Sequence, residues 1–374
     1  MNVEEQSCAF MRRAIEVSKF AWGQTHPNPI VGAVIVEEDK LVAEGWHRKA
    51  GQPHAEVEAL RALGRKPTKD ATMYVTLEPC STSGRTGPCT SAILDAGIQN
   101  LVVGAIDPNP HHAGRGLSQL RAKGIRVIEG VLAADCSDLN LIFNHWIVRK
   151  QPLIAMKLAL TLDGKFAAAS GNSKWVTSEM SRSDVMQWRR YFPAIAVGAN
   201  TVLSDDPSLT SRIGDSIECP IRFVFDRTLR TVEAKTWPKL YSDAYKEQTI
   251  VLFTSSADRK SRSKLARHGI ASWELPEEAD GHMDLTAFRE RCAAESIYGI
   301  YFEAGPQMAS NLIDKQFVDY AFFYKAPKLL NDSATPAMGN QRSTESMSDA
   351  FRLSCVRHTV LGEDILIRGH INYN

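Results

Sequence analysis

Apolar runs of strand length alternate with amphipathic segments of helix length along the first 150 residues. The segment 4–22 has the apolar spacing of a helix, and IVGAVIVEEDKLVAEGWH (30–47) predicts two strands joined by a charged turn. We then predict a helix from 54, a strand at 71–79, a helix from 88, a strand at 100–107, a helix around 114–123, a strand at 125–131 and a helix near 132–149. Strands separated by such helices predict a parallel or mixed sheet covered on both faces, which is the α/β class.

The pattern stops at VRKQP (148–152), where basic residues suit a helix end and the proline cannot continue it. We therefore predict two domains, 1–150 and 151–374, which also suits the length of the chain. The second half predicts a further α/β unit with a helix near 178–191. Its apolar runs lie at 152–167, 194–203, 221–227, 249–255, 297–313, 318–330 and 356–371. The polar segments at 230–248 and 331–350 are predicted loops, and the chain shows no internal repeat.

Composition and charge narrow the classes of partner. The chain has 44% hydrophobic and 23% charged residues, as in ordinary globular proteins, and a formal net charge of +1. Because there is no broad basic field, we expect no nucleic-acid partner and no anionic membrane. The first 20 residues lack the apolar centre of a signal peptide, and no run reaches the roughly 20 apolar residues that span a bilayer. Seven thinly spread cysteines do not form a disulfide framework, so we expect a cytoplasmic protein.

Two short stretches place reactive side chains beside a proline: GQPHAEVEAL (51–60) and LEPCSTSGRTGPCT (77–90). One histidine and two cysteines, here His54, Cys80 and Cys89, match a catalytic zinc, which has three protein ligands and a fourth position for water. Bound zinc lowers the pKa of that water to about 7. Glu56 would then move the proton from the water to the departing amine, as in zinc deaminases. The spacing P-C-x8-C matches the P-C-x-x-C form of that signature only in part.

Other interpretations of these stretches stay open at this point. Residues two apart point to opposite sides of a helix, so the histidine and the glutamate share a site only if the histidine lies at the helix start. Pro53 and Pro88 are typical of a first helical position, which favours that arrangement. An H-x-E sequence also arises by chance, and two cysteines can be buried as small apolar groups. A purely structural zinc would need a fourth ligand, for which His47 and His111 are the candidates.

The motifs resemble those of one known family, the bifunctional riboflavin-biosynthesis deaminase/reductases. The first half resembles the deaminase domain in THPNPIVGAVIV, GWHRKAGQPHAEVEAL, YVTLEPCSTSGRTGPC and DPNPHHAGRG. The second half resembles the reductase domain in KLALTLDGKFAAASGNSKWVTS, GANTVLSDDPSLTSR, FEAGPQMASNLI and APKLL. The resemblance covers nearly the whole chain, with the motifs in the same order.

The resemblance implies a fold and two consecutive reactions. The fold is a cytidine-deaminase-like three-layer domain followed by a dihydrofolate-reductase-like domain. The first domain would hydrolyse the 2-amino group of 2,5-diamino-6-(5-phosphoribosylamino)pyrimidin-4(3H)-one, with Zn²⁺ as cofactor. The second would use NADPH to reduce the ribosyl group, giving 5-amino-6-(5-phosphoribitylamino)uracil. The implied partner is therefore a small pyrimidine ribosyl phosphate, and the family associates through its reductase domains, so a homo-oligomer is expected.

The resemblance also implies roles for residues of the deaminase half. The zinc ligands would be His54, Cys80 and Cys89, and the proton shuttle would be Glu56. The substrate pocket would include Asn28, His47 and Arg85. By itself PNP (27–29) favours no more than a tight turn. The cysteine loop departs from the family's PCSHxGKTPPC pattern, because Thr82 replaces a histidine and Gly87 a proline.

In the reductase half, the family positions that bind the phosphoribosyl substrate are matched by Ser173, Arg189, Leu209, Arg212 and Glu303. Two arginines suit a sugar phosphate because guanidinium groups bind phosphate oxygens in pairs. Arg189 can equally be a solvated helix residue, with Arg190 making the contact. Lys157 is the candidate catalytic group that polarises the opened sugar or its imine, kept charged by a nearby acid such as Glu303. A lysine at a strand edge is an equally good interpretation.

The resemblance implies a cofactor site along Ala159, Trp175, Thr201, Asp205 and the turn Gly305, Pro306, Gln307, Met308, Ala309, Ser310 and Asn311. EAGPQMASNLI (303–313) predicts a strand, a glycine turn and a helix start, whose backbone N–H groups bind phosphate. The chain has no G-x-G-x-x-G, so this is not a standard dinucleotide fingerprint. Arg227 stands where the family has a small hydroxyl residue; it either binds a 2′-phosphate or faces solvent.

Two rival functions share the zinc site. A nucleic-acid-editing deaminase with an RNA-binding second half predicts a basic face with interleaved aromatic residues, which the near-neutral charge does not favour. A zinc-stabilised scaffold without catalysis has no use for Glu56 and should tolerate its replacement by glutamine.

Overall fold

The computed structural model describes residues 3–82, 87–110, 112–338 and 344–373. The chain divides into two compact units, Met1–Lys150 and Gln151–Asn374. None of the helices in the described ranges is both long and apolar enough to cross a membrane.

The first unit is a mixed five-stranded sheet with helices around it. Its strands are β1 (Gly32–Glu37), β2 (Lys40–Trp46), β3 (Thr72–Leu77), β4 (Asn100–Ala105) and β5 (Arg126–Glu129). Its helices are α1 (Val3–Ser18), α2 (Ala55–Leu63), α3 (Cys89–Ala96), α4 (Arg115–Ala122), α5 (Ala133–Asp138) and α6 (Leu141–Arg149). The order β2-β1-β3-β4-β5 pairs β1 with both neighbours in antiparallel fashion, whereas β3, β4 and β5 run parallel. The predicted α/β class is confirmed.

The close approach of α2 to β2 sets the position of the helix start that carries His54. A Cβ atom at Gly45 would lie 2.2 Å from the backbone nitrogen of Ala59. Any other residue at this position of β2 would therefore push α2 off the sheet. The whole of β1 is buried, as its largely apolar sequence GAVIVE predicts.

The predicted helix at 132–149 is two helices, α5 and α6. The break lies at Asn140, whose backbone is not helical. The Asn140 side chain bonds instead to the backbone of Ile30, at the entry to β1. A side chain that hydrogen-bonds to backbone competes with helix formation, so the interruption has a local cause.

The second unit is built on a nine-stranded sheet in the order β13-β12-β11-β8-β14-β6-β15-β18-β17. Its strands and the two short pairs beside them are β6 (Leu153–Thr161), β7 (Lys165–Ala167), β8 (Ala194–Gly198), β9 (Ser211–Ile213), β10 (Ser216–Glu218), β11 (Ile221–Phe225), β12 (Thr249–Phe253), β13 (Ala271–Glu274), β14 (Gly299–Glu303), β15 (Tyr320–Ala326), β16 (Thr335–Pro336), β17 (Arg352–Leu361) and β18 (Asp364–Asn372). Its helices are α7 (Glu179–Tyr191), α8 (Ala199–Asp205), α9 (Arg259–Arg267), α10 (Leu285–Ala294) and α11 (Pro306–Asp314). The strands from β13 to β15 run parallel, and β18 and β17 extend the sheet in antiparallel fashion.

The predicted loop at 230–248 is a series of short 3-10 turns held by one buried arginine. Arg222 of β11 is fully buried, and its guanidinium donates to both carboxylate oxygens of Asp243, at 2.7 and 2.9 Å. It also donates to the hydroxyl of Thr249 and to the carbonyl oxygens of Ser208, Leu240 and Tyr245. A fully hydrogen-bonded guanidinium thus ties this segment to β11, beside the buried side chains of Val232, Leu240 and Tyr241.

Candidate active sites

The first unit brings His54, Cys80 and Cys89 together. Cys80 follows the end of β3, and Cys89 is the first residue of α3. The Nδ1 atom of His54 lies 3.2 Å from the Cys89 sulfur and 3.5 Å from the Cys80 sulfur. The three ligand atoms all lie within 4.8 Å of one another, and within the described ranges they form the one such cluster found.

The electrostatics of this cluster suit a zinc ion. The hydrogen bond from Cys89 lowers the pKa of the Cys80 thiol to about 4, and the nearby imidazole acts in the same direction. The backbone N–H of Cys89, at the start of α3, also donates to the Cys80 sulfur at 3.4 Å. That same thiol–thiolate bond raises the pKa of Cys89. One imidazole nitrogen and two thiolates are a donor set that zinc prefers, with one coordination position left for water.

Glu56 shares the site because His54 lies outside the helix. His54 is the residue before α2 and has extended backbone, with φ −77° and ψ 167°. Glu56 is in the first turn of α2 and buried, and burial raises the pKa of its carboxyl group. Both Pro53 and Pro88 precede their helices, so the prediction that they occupy the first helical position is wrong.

Asn28 and His47 form a second hydrogen-bonded pair beside the cluster. His47 Nδ1 lies 3.0 Å from the carbonyl oxygen of Pro53, so this nitrogen carries the proton. The other ring nitrogen is then an acceptor, and the Asn28 amide group donates to it at 3.2 Å. Burial lowers the pKa of His47 and keeps the ring neutral. Because both of its nitrogens are bonded, His47 is not a fourth metal ligand.

Glu78 is a residue of this site that the sequence analysis missed. It is buried between β3 and Cys80, and its carboxylate accepts hydrogen bonds from the backbone N–H groups of Asp107, Gly114 and Gly116, at 3.3, 2.9 and 2.9 Å. These bonds fix the loop that follows β4 against the cysteine segment. The sequence signal was an acidic residue directly after a buried strand and directly before P-C.

Some predicted residues of the deaminase half lie outside the described residues. Arg85 falls in 83–86, and His111 is the other such position. The two departures from the family pattern are described, and Thr82 and Gly87 are both exposed.

In the second unit, Lys157 from the middle of β6, Arg189 from α7 and Glu303 at the end of β14 lie together. Lys157 and Glu303 are register partners on β6 and β14. Arg189 of α7 forms a bidentate pair with Glu303, at 2.6 and 2.9 Å, and also donates to the Thr210 carbonyl oxygen at 3.0 Å. Burial lowers the pKa of Lys157, and Glu303 opposes that shift. Arg189 is thus paired with a carboxylate, and its predicted contact with the substrate stays a prediction.

The remaining predicted substrate residues differ in exposure. Leu209 is buried and has a left-handed backbone, with φ 52°, one residue before the carbonyl group that binds Arg189. Arg212 of β9 is exposed and has no ion-pair partner among the described residues, whereas Arg190 pairs with Glu218 at 3.0 Å. Ser173 is partly buried in the turn after β7.

The predicted cofactor turn is a helix start without a side-chain cap. Gly305 precedes α11 and has no side chain to cap it, and the part of the chain that the structure describes shows no other side chain bonded to the N–H groups of the first turn. Since β8 and β14 are parallel neighbours, the starts of α8 and α11 lie at the same sheet edge. A Cβ atom on Gly305 would lie 3.7 Å from the hydroxyl oxygen of Thr201, so the glycine leaves room between the two helices. Exposed N–H groups beside a glycine fit a phosphate group.

The other predicted cofactor residues lie on different elements and differ in exposure. Trp175 is 63% exposed, with the Arg182 guanidinium 4.5 Å from its ring centroid. Ala159 lies on β6, and Asp205 ends α8. Arg227 is paired with Glu277 at 3.3 Å, so it does not simply face solvent.

Comparison with known families assigns both units. Residues 4–105 match the family model of the cytidine and deoxycytidylate deaminase zinc-binding region. Residues 152–367, more than half of the chain, match the RibD C-terminal domain. The chain belongs to the RibD family. The family that the sequence motifs resembled is therefore confirmed.

Whole-length RibD proteins are similar over both halves. The riboflavin biosynthesis protein RibD of Actinobacillus pleuropneumoniae is 37% identical over 96% of this chain and 93% of its own length. The Escherichia coli RibD is 36% identical over 96% and 97%. The described fold also matches the solved RibD of Acinetobacter baumannii, at 34% identity, a TM-score of 0.76 and 99% coverage of both chains. A deaminase/reductase from Thermotoga maritima matches at 29% identity, with the same TM-score and coverage. The predicted fold, a cytidine-deaminase-like domain followed by a dihydrofolate-reductase-like domain, is thus confirmed, the second as the RibD C-terminal domain.

Proposed function

We propose that this chain carries out two consecutive steps of riboflavin biosynthesis. It hydrolyses the 2-amino group of 2,5-diamino-6-(5-phosphoribosylamino)pyrimidin-4(3H)-one and then reduces the ribosyl side chain with NADPH. The observation that carries the proposal is the His54, Cys80 and Cys89 cluster with a buried Glu56, in one chain with a RibD C-terminal domain. The Thermotoga relative is described as a deaminase and reductase of these pyrimidines. We assign the first step to residues 1–150 and the second to 151–374.

In the first step, Glu56 transfers protons. His54, Cys80 and Cys89 would hold a zinc ion, which when bound would supply a water molecule of lowered pKa. The raised pKa of Glu56 suits a carboxyl group that accepts one proton and passes it on to the leaving amine. Its burial keeps competing bulk water away from the proton.

Asn28 orients the pyrimidine in this proposal. Since its amide N–H group is used by His47, its carbonyl oxygen is left to accept a hydrogen bond from the ring edge. The neutral His47 fixes that orientation through its own bond to the Pro53 carbonyl group. The site therefore recognises a ring that offers an N–H donor beside the amine to be removed.

In the second step, Lys157 acts on the sugar and Arg212 on its phosphate. Bound NADPH supplies the hydride. The Lys157 ammonium group polarises the opened sugar or its imine, and the Arg189–Glu303 pair fixes the surrounding charges. Because Arg189 is occupied by Glu303, the exposed Arg212 is the better candidate for the phosphate contact.

The NADPH phosphates would bind at the start of α11. Pro306 begins α11 and has no N–H group, so the donors would be the backbone N–H groups of Gly305, Gln307 and Met308, which have no side-chain cap among the described residues, and Thr201 faces Gly305 from α8. An anion is favoured there by both the free N–H groups and the helix dipole.

We also propose a cytoplasmic homo-oligomer joined through the reductase unit. All seven cysteines are free thiols, which suits a reducing compartment. The strand β17 ends the nine-stranded sheet and exposes Val356 and Val360, an edge suited to a second copy. A single protomer mass in light scattering would contradict this association.

Product analysis tests the two-step proposal. The purified chain is incubated with the diamino-pyrimidinone, first without NADPH and then with it. We expect release of ammonia and a pyrimidine that still carries its ribosyl group, followed by conversion to the ribityl product once NADPH is added. A chain that releases no ammonia while holding zinc would contradict the first step, and one that never oxidises NADPH would contradict the second.

A further inference from the structure

Asn140 makes a reciprocal pair of hydrogen bonds with one distant residue, Ile30. Its Oδ1 atom accepts from the Ile30 N–H group at 2.7 Å, and its Nδ2 group donates to the Ile30 carbonyl oxygen at 2.9 Å. Asn140 is 2% exposed, and Ile30 is equally buried. The side chain therefore takes the place of a neighbouring strand at the residue where the chain enters β1.

Ile30 lies two residues after Asn28, the residue proposed to orient the pyrimidine. Pro29 between them has no N–H group, so Ile30 is the first position after Asn28 where the backbone can be held by a donor and an acceptor together. On the other side, the Asn28 N–H group donates to the Thr25 carbonyl oxygen at 2.8 Å. The segment that carries Asn28 is thus fixed at both ends, and Asn140 holds the end that leads into the sheet.

The same segment also hydrogen-bonds to His47, the residue that fixes the orientation of Asn28. The His47 N–H group donates to the Val31 carbonyl oxygen at 3.0 Å, one residue beyond Ile30. A shift of Ile30 would therefore change the distance between Asn28 and His47, which is now 3.2 Å. The hydrogen bonds described above for the three metal ligands do not involve this segment.

We propose that Asn140 is a positioning residue for deamination: it acts through Ile30 to hold Asn28 in the orientation that binds the pyrimidine ring. The proposal rests on the deaminase function proposed above. A carboxamide is required because it presents a donor and an acceptor side by side. A carboxylate in its place would be unable to donate to the Ile30 carbonyl oxygen, and a hydrocarbon would leave both buried backbone groups unpaired.

Steady-state deamination by the full chain tests this role in Asn140→Ala and Asn140→Asp. We expect the KM for the diamino-pyrimidinone to rise by about tenfold or more in Asn140→Ala, with a smaller rise in Asn140→Asp. The kcat should change much less, because the zinc site is untouched. Zinc content, and NADPH oxidation with pre-deaminated substrate, should equal those of the wild type.

Asn144→Ala is the matched control. Asn144 lies one turn further along α6, and its side chain also makes two hydrogen bonds, to the carbonyl oxygen and the hydroxyl of Ser137. Asn144→Ala removes the same number of hydrogen bonds as Asn140→Ala but leaves the hydrogen bonds of Ile30 in place. The KM should therefore stay at the wild-type value. An equal rise in both variants would overturn the proposal, because loosening of α6 alone would explain it.

A double-mutant cycle separates positioning from general stability. If Asn140 acts through Asn28, Asn140→Ala should add little to the KM effect of Asn28→Ala. Full additivity, or an unchanged KM in Asn140→Ala, would overturn the proposal.

Amide hydrogen exchange gives a readout that does not depend on the reaction. The segment 25–32 should exchange faster in Asn140→Ala and in Asn140→Asp while β3 and β4 stay protected. If the wild type fails to deaminate, the proposed function fails, whereas unchanged exchange at 25–32 overturns the role of Asn140 itself.

Discussion

Glu303 binds one neighbouring basic side chain and changes the pKa of another. Its carboxylate binds Arg189 at two points, and its charge acts on Lys157 across the β6–β14 pair. Burial lowers the pKa of Lys157, Glu303 raises it, and the Arg189 charge lowers it again, with a net fall from the ordinary value. Lys157 therefore loses its proton at a lower pH than a free lysine does.

The pH dependence of the reductase step tests this account of Lys157. If the charged form acts on the sugar, NADPH oxidation with pre-deaminated substrate should fall as the pH rises through the Lys157 pKa, below the usual lysine value of about 10.4. Lys157→Arg keeps its charge throughout this range. We expect that variant to be slower by about tenfold or more, with no alkaline fall in its residual rate. An identical alkaline limb in wild type and variant would show that another group titrates.

The functional roles of residues could be predicted from the sequence where their types and spacing match a known kind of site. His54, Glu56, Cys80 and Cys89 were found in this way, because histidine, glutamate and two cysteines at helix starts have few uses in common other than zinc. The bond between Arg189 and Glu303 was not predictable, since 114 residues separate the partners. The roles of Glu78 and Asn140 were not predicted for the same reason, because each side chain hydrogen-bonds to backbone groups that are distant in the sequence.

Helix starts carry much of the chemistry at the scale of elements. The starts of α2 and α3 bring His54 and Cys89 to the zinc site, and the start of α11 presents free N–H groups at the sheet edge. Both sites lie where parallel strands end, which is where α/β sheets bind ligands. Strands in the sheet interior give the rigid support, and the turns after them give the reactive groups.

Arg222 has a structural role that the substitution Arg222→Met tests. Removal of the guanidinium leaves the Asp243 carboxylate and several carbonyl oxygens without their partner. Loss of one member of a buried pair costs about 3–5 kcal/mol, so the free energy of unfolding of the reductase unit should fall by that amount. Urea unfolding followed by tryptophan fluorescence measures the change.

Arg227→Gln is the control for this prediction, because its ion pair with Glu277 is exposed. Such pairs contribute about 0–1 kcal/mol, so the variant should unfold at nearly the wild-type urea concentration. A comparable loss in both variants would contradict the assignment of Arg222 as the anchor of the 3-10 segment.

Elements with strong periodicity were predicted, and polar or short ones were not. The buried strands of both sheets follow from their apolar runs. By contrast, α9 has the sequence RKSRSKLAR, with only Ser261 and Leu265 buried, so its pattern gave no signal. The strands β9 and β10 have three residues each and are defined by their pairing alone. The order of the nine strands depends on contacts between distant segments, which no local pattern encodes.

At the scale of the whole molecule, one chain carries two chemically different candidate sites. The units have separate hydrophobic cores, and each holds its own reactive groups. The proposed product of the first site is the substrate of the second, so a defect confined to one site should block the pathway at a defined point while leaving the other reaction intact.

NADPH oxidation by the full-length Glu56→Gln variant tests the central claim most directly. The change keeps the size of the side chain and leaves His54, Cys80 and Cys89 in place, so zinc content should equal that of the wild type. We expect the variant to lose about 10²–10⁴-fold in rate with the diamino-pyrimidinone, because proton transfer is lost. With pre-deaminated substrate it should oxidise NADPH at the wild-type rate. Wild-type NADPH oxidation by the variant with the diamino-pyrimidinone would contradict the order of the two steps and the role of Glu56.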